Sequence, residues 1–126
     1  MSADGTLYVG VLRLRLHLPN AHSLKDRRAL VRRALDRLRS RLPVSAAEVG
    51  PSERWQSATL GVVTVSGDRA VVQEALDRAT ALVASALAGE ALVVGRAVDL
   101  QTHDALGPFG VEASLLEKTG HGEDEA

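Results

Sequence analysis

The chain has 126 residues, a length that fits one domain, and its 45% apolar and 25% charged residues are typical of a globular protein. It contains no cysteine, which excludes disulfide frameworks, thiolate zinc sites and cysteine nucleophiles. No apolar run is as long as a membrane helix, and residues 1–6 lack the features of a signal peptide. We therefore expect a soluble cytoplasmic protein with no membrane partner.

The net charge of −1 conceals an uneven distribution along the chain. Residues 1–42 hold ten Lys and Arg against three acids, a balance of +7. Residues 43–100 have a balance of −3, and residues 101–126 have a balance of −5. A basic first third followed by an acidic end indicates a localised anion-binding surface.

The first predicted strand covers residues 7–18 and has one apolar face and one polar face. Its apolar side chains alternate with polar ones, as in a half-buried strand, and are Leu12, Leu14, Leu16 and Leu18.

Ser23 and Asp26 form a predicted capping box that opens a helix running to about Arg41. Helical spacing predicts that this helix has a core-facing stripe of Leu24, Val31, Ala34, Leu35, Leu38 and Leu42.

The second half of the chain repeats the same kind of elements. We predict strands over residues 44–49 and 58–66, a turn and helix cap at Gly67-Asp68, and a helix over residues 69–87. Gly89 ends this helix, and a fourth strand covers residues 91–100. The third strand is apolar on both faces, which favours a covered sheet, and a second copy on its open face would explain Leu60, Val62 and their neighbours.

The element order β-α-β-β-α-β predicts an α+β fold of the ferredoxin-like kind. Right-handed crossovers place two helices on one face of a four-stranded antiparallel sheet, with the first and third strands central. We assign residues 7–100 to this domain. Residues 101–126 form an acidic C-terminal extension with a short helix at most, over residues 111–118, and a disordered end.

Several short segments carry a resemblance to a known family. They are V-G-V-L-R-L-R-L at residues 9–16, S-L-K-D-R-R at 23–28, A-A-E-V at 46–49 and W-Q at 55–56. Their joint spacing, within residues 7–100, resembles that of the small bacterial YlxP-like proteins of unknown function. The resemblance implies a ferredoxin-like fold, brings no catalytic residues, and implies a link to the ribosome because genes of this family often lie among those for translation.

The first predicted helix holds eight of the fifteen basic residues of the chain. A row of cations can follow a phosphate backbone without any contact to bases. We expect phosphate contacts from Lys25, Arg27, Arg28, Arg32 and Arg39, with Arg13 and Arg15 on the first strand as a second patch. The alternative is an ordinary solvated helix face, partly paired with acids.

No catalytic or cofactor constellation is visible. The chain lacks the glycine-rich phosphate-binding motifs, and its four histidines lack metal-ligand spacing. Trp55, the single tryptophan, is interpreted as a plug at the end of the core. We therefore expect a non-enzymatic protein with no cofactor and no metal.

Two hypotheses of function follow from these observations. In the first, the protein binds structured RNA or a ribosomal subunit through its basic first helix, with little sequence preference. Aromatic stacking groups are too scarce for base recognition, since the chain has only Tyr8, Trp55 and Phe109. In the second, it is a homodimeric protein–protein interaction module with no nucleic-acid role.

Overall fold

The computed structural model describes residues 5–50 and 56–106. The elements are β1 (Leu7–His17), α1 (Leu24–Arg41), β2 (Ser45–Glu48), β3 (Ser57–Ser66), α2 (Arg69–Ala86) and β4 (Leu92–His103). The strands form one antiparallel sheet in the order β2-β3-β1-β4. The predicted α+β ferredoxin-like fold is thus confirmed, with β1 and β3 in the centre.

The ends of the helices follow from their capping residues. Ser23 accepts a hydrogen bond from the Asp26 amide at 3.1 Å, and the Asp26 carboxylate accepts one from the His22 amide at 3.1 Å. These bonds confirm the predicted capping box, with the return bond displaced by one residue. Asp68 caps α2 by accepting from the Ala70 amide at 3.0 Å, as the Gly67-Asp68 turn predicted.

The core lies between the two helices and one face of the sheet. The alternating leucines of β1 are buried there, as predicted, together with Leu60 and Val62 of β3. Each helix contributes one apolar stripe, α1 with Leu30, Val31, Ala34 and Leu38, and α2 with Val72, Ala75, Leu76, Ala79 and Val83. Leu24, which we placed in the α1 stripe, is instead 45% exposed.

The placement of Leu60 and Val62 on the open face of the sheet is wrong, because both side chains are fully buried beneath the helices. The side chains of β3 alternate between the two faces of the sheet. Val63 and Val65 are therefore the aliphatic residues of β3 on the open face, and they are 41% and 61% exposed.

The fourth strand is longer than expected and irregular. It ends at His103, past the predicted end at Leu100, because β1 begins at Leu7 and its first residues pair with the end of β4. The pairing register shifts between Arg15 and Leu16, which face Gly95 and Val93, so that Val94 is an extra residue. This β-bulge lies at the edge of the sheet.

Two other predictions concern residues that are not described. Trp55 and the predicted helix over residues 111–118 lie outside the described ranges. Within those ranges, no helix is both long enough and apolar enough to cross a membrane.

Candidate anion-binding surfaces

A groove runs along the side of α1 that faces the edge strand β2. Three of the predicted arginines, Arg28, Arg32 and Arg39, line this groove. The other lining residues are Val31, Leu35, Asp36 and Glu48. All three arginines are exposed. Arg39 donates from Nη2 to the carbonyl oxygen of Ala46 in β2 at 2.7 Å, a bond that bridges the groove at one end. We call this feature the α1 groove.

Arg27 lies behind the α1 groove rather than in it. It is only 6% exposed, its Nε donates to the Ser57 carbonyl oxygen at 3.0 Å, and its Nη2 forms an ion pair with Glu48. Its guanidinium therefore links α1 to β2 and β3 and is not presented to a ligand. The sequence did contain a signal for this position, because Arg27 precedes Leu30 and Val31 by three and four residues and so lies on the apolar stripe.

The ion pair of Arg27 with Glu48 also affects the charge of the α1 groove. Glu48 is one of the two acids that line the groove, and its carboxylate is bound by Arg27. Asp36 is the other acid, and within the described residues it makes no ion pair with Arg28, Arg32 or Arg39. The groove thus keeps an excess of positive charge.

The remaining cations of α1 are outside the residues that line the α1 groove. Lys25, in the first turn, is exposed and does not line the α1 groove. Arg33 and Arg37 join Arg32 in a second shallow depression on the outer side of the helix. We did not predict Arg33 and Arg37 as site residues, because helical spacing places them outside the row of Lys25, Arg28, Arg32 and Arg39. Arg33 is paired with Glu90, with Nη1 to Oε2 at 2.5 Å.

Arg13 and Arg15 form the second predicted patch, and they lie on the opposite face of the sheet from α1. Both are exposed, whereas their neighbours Leu12, Leu14 and Leu16 point into the core. The structure therefore does not bring the two predicted patches together. One straight nucleic-acid segment that follows α1 would not reach Arg13 and Arg15.

Among the described residues, no group of three His, Asp or Glu side chains could hold a metal ion. Of the three described histidines, His17 ends β1, His22 precedes α1 and His103 ends β4. His17 contacts the carbonyl oxygen of Gln56 through Nδ1 at 3.2 Å.

Comparison with known proteins decides the family. Residues 9–95 match the model of a family described as "Protein of unknown function (DUF503)". The chain belongs to the DUF503 family. The chain is also 35% identical over 66 residues to "Uncharacterized protein YlxP" of Bacillus subtilis (strain 168), a match that covers 52% of this chain and 72% of that protein. The predicted YlxP-like resemblance is therefore confirmed, and the DUF503 family brings no established activity.

The solved structures that this chain matches are distant from it in sequence and in structure. The designed protein Foldit4 is 14% identical with a TM-score of 0.42, over 77% of this chain and 96% of that chain. SnoaB, a cofactor-independent oxygenase from Streptomyces nogalater, is 14% identical with a TM-score of 0.46, over 80% of this chain and 97% of that chain. Neither similarity carries an argument about the function of the DUF503 protein.

Proposed function

We propose that this DUF503 protein is a non-enzymatic cytoplasmic protein that binds structured RNA, such as the RNA of a ribosomal particle, through the α1 groove. The observation that supports this most strongly is that Arg28, Arg32 and Arg39 line one groove. The Glu48 carboxylate beside them is already bound by Arg27. Guanidinium groups bind phosphate oxygens in a bidentate manner, and such contacts need no particular base.

The spacing along α1 supports contact with several separate phosphates. Arg28 and Arg32 are four residues apart, about 6 Å along the helix axis, and Arg39 follows about 10 Å further on. These intervals are about two and three times the axial distance of about 3.4 Å between phosphates of one strand, so each arginine can contact a different phosphate. Lys25, one turn before Arg28, would extend the row toward the start of the helix.

Binding of the purified protein to ribosomal subunits and to bulk structured RNA tests this proposal. The wild type is compared with an Arg28→Glu/Arg32→Glu/Arg39→Glu variant whose fold is checked by circular dichroism. A control variant, Arg69→Gln/Arg78→Gln, removes two exposed cations from α2. We expect the α1 variant to lose binding and the control to keep it. If the wild type binds neither subunits nor RNA, the proposal is wrong.

A second candidate function, the homodimeric interaction module, is favoured by a different observation. Val63 and Val65 on the open sheet face pair across the strands with Val11 and Val9. Leu7 adds a further exposed apolar side chain at that end of the face. Burying such a patch against a second copy would remove it from water.

Sedimentation equilibrium distinguishes this second candidate from the first. A dimer that dissociates in a Val63→Ser/Val65→Ser variant, while RNA binding is absent in both proteins, would favour the interaction module. A wild type that remains monomeric at all concentrations would contradict it.

A further inference from the structure

A shallow trough crosses the open face of the sheet on the side opposite α1. The residues that line it include Arg13, Arg15, Thr59, Gly95, Arg96 and Ala97. The Arg96 side chain turns to the other face of the sheet, where it bonds to Thr80 and Asp77 of α2 at 2.9 and 2.7 Å. Arg13 and Arg15 are therefore the cations available inside the trough.

Arg13 and Arg15 are placed to act on the same anion. They are two residues apart on β1, so their side chains leave the same face with about 6.6 Å between their Cα atoms. Within the part of the chain that the structure describes, neither makes an ion pair or a side-chain hydrogen bond. Two guanidinium groups on flexible stems at this separation can converge on one small group.

Small residues beside the two arginines keep the trough open. Gly95 and Ala97 of β4 face Arg15 and Arg13 across the strands. A Cβ atom at Gly95 would come within 3.2 Å of the Arg15 Cβ, so a larger residue there would crowd the arginine stem. The β-bulge at Val94 adjoins this position, and such bulges are frequent next to binding sites because they redirect neighbouring side chains.

The polar groups around the trough suit an anion. Thr59 faces Arg15 from β3 and offers a hydroxyl donor. Asp99 also lies on this face, where it faces Val11 across the strands rather than either arginine. Its Oδ2 accepts a hydrogen bond from Gln101 at 3.0 Å, and it does not line the trough.

We propose that this trough binds the phosphate group of a small phosphate monoester. A monoester carries a charge of about −1.5 to −2 at neutral pH, which matches two guanidinium groups. A phosphodiester in an RNA backbone carries a single negative charge, so two guanidinium groups favour the monoester over it. The proposal is independent of RNA binding by α1, since the two surfaces share no residue.

Adenosine monophosphate and 3′,5′-cyclic adenosine monophosphate are matched probes for this site, because they differ in whether the phosphate is a monoester or a diester. Binding is followed by nuclear magnetic resonance on the full chain at neutral pH. We expect the monoester to bind about tenfold more tightly than the cyclic diester, because it carries about one more negative charge near the two arginines. The largest shifts should occur at the Thr59 and Gly95 amides. Inorganic phosphate should compete, and adenosine should not bind.

Substitutions in the trough test whether the phosphate monoester binds there. Arg13→Gln/Arg15→Gln should weaken binding of the monoester by at least about tenfold. The Arg69→Gln/Arg78→Gln control should leave it unchanged. Equal affinity for the cyclic diester, shifts centred on α1, or wild-type affinity in the Arg13→Gln/Arg15→Gln variant would each overturn the proposal. So would the absence of saturable binding at millimolar concentration.

The test separates this proposal from RNA binding. The Arg28→Glu/Arg32→Glu/Arg39→Glu variant should keep its affinity for the monoester, because none of those residues lines the trough. If the double Arg13/Arg15 variant does not fold, the map of shifts on the wild type still decides the outcome. Thr59→Val, which keeps the branched shape and removes the hydroxyl, gives a second and milder perturbation.

Discussion

Replacing Glu48 by Gln should lower the free energy of unfolding by about 2 kcal/mol, because it leaves the Arg27 guanidinium without an ionic partner. Removing one member of a fully buried ion pair costs about 3–5 kcal/mol, whereas an exposed pair contributes about 0–1 kcal/mol. The Arg27 side chain is 7% exposed and that of Glu48 is 29% exposed, so the pair lies between these limits. For a domain of this size, the expected fall in Tm is about 10 °C.

Urea unfolding of a double-mutant cycle measures the interaction itself. The cycle combines Glu48→Gln with Arg27→Met, which keeps the apolar stem of the arginine side chain. The effect of the double substitution on the free energy of unfolding should differ from the sum of the two single effects by at least about 1 kcal/mol. Asp77→Asn is the matched control, because its pair with Arg96 is solvent-exposed and its loss should cost less than about 0.5 kcal/mol. Additive effects of the two substitutions, or an equal cost for Asp77→Asn, would refute the reasoning.

Two further predictions concern stability. Gly10→Ala should destabilise the protein by about 1–3 kcal/mol in urea unfolding, because its Cβ would lie 2.5 Å from Val72 Cγ1 and 2.8 Å from Leu76 Cδ1. An unchanged midpoint would contradict this close approach of β1 and α2. Ser23→Ala should cost about 1 kcal/mol through loss of the α1 cap, while Ser40→Ala, at an exposed site, should cost less than about 0.5 kcal/mol. Equal effects would argue against the cap.

The fold could be predicted because its strongest signals are local. Alternating leucines in β1, a capping residue before each helix and a glycine or proline after each helix agree on the same six elements. The order of the elements then leaves few topologies, since crossovers are right-handed. The end of β4 was missed, because a strand end at a sheet edge depends on how far its neighbour extends.

The sequence of β3 alone does not show which of its side chains face the core. Leu60 and Val62 differ little in character from Val63 and Val65, so the strand gives no alternation that shows which set is covered. Only the register with β1 settles it, since Leu60 pairs with Leu14 and thus faces the helices.

The candidate site was predicted in part. Charge counting found the basic helix, and helical spacing identified three arginines that line one groove. Charge counting could not show that Arg27 is buried against Glu48, because that ion pair joins residues far apart in the sequence. The trough at Arg15 was also hidden, since it depends on a bulge in β4 and on Gly95 beside the arginine.

The salt dependence of RNA binding tests the central claim most directly. Affinity for a structured RNA duplex is measured over a series of salt concentrations for the wild type and for Arg28→Gln/Arg32→Gln/Arg39→Gln. If each arginine of the α1 groove contacts one phosphate, the slope of log affinity against log salt should become shallower by about 2–3 in the variant. The Arg69→Gln/Arg78→Gln control should keep the wild-type slope. Equal slopes in the α1 variant and the wild type would show that these arginines contact no phosphate and would contradict the account.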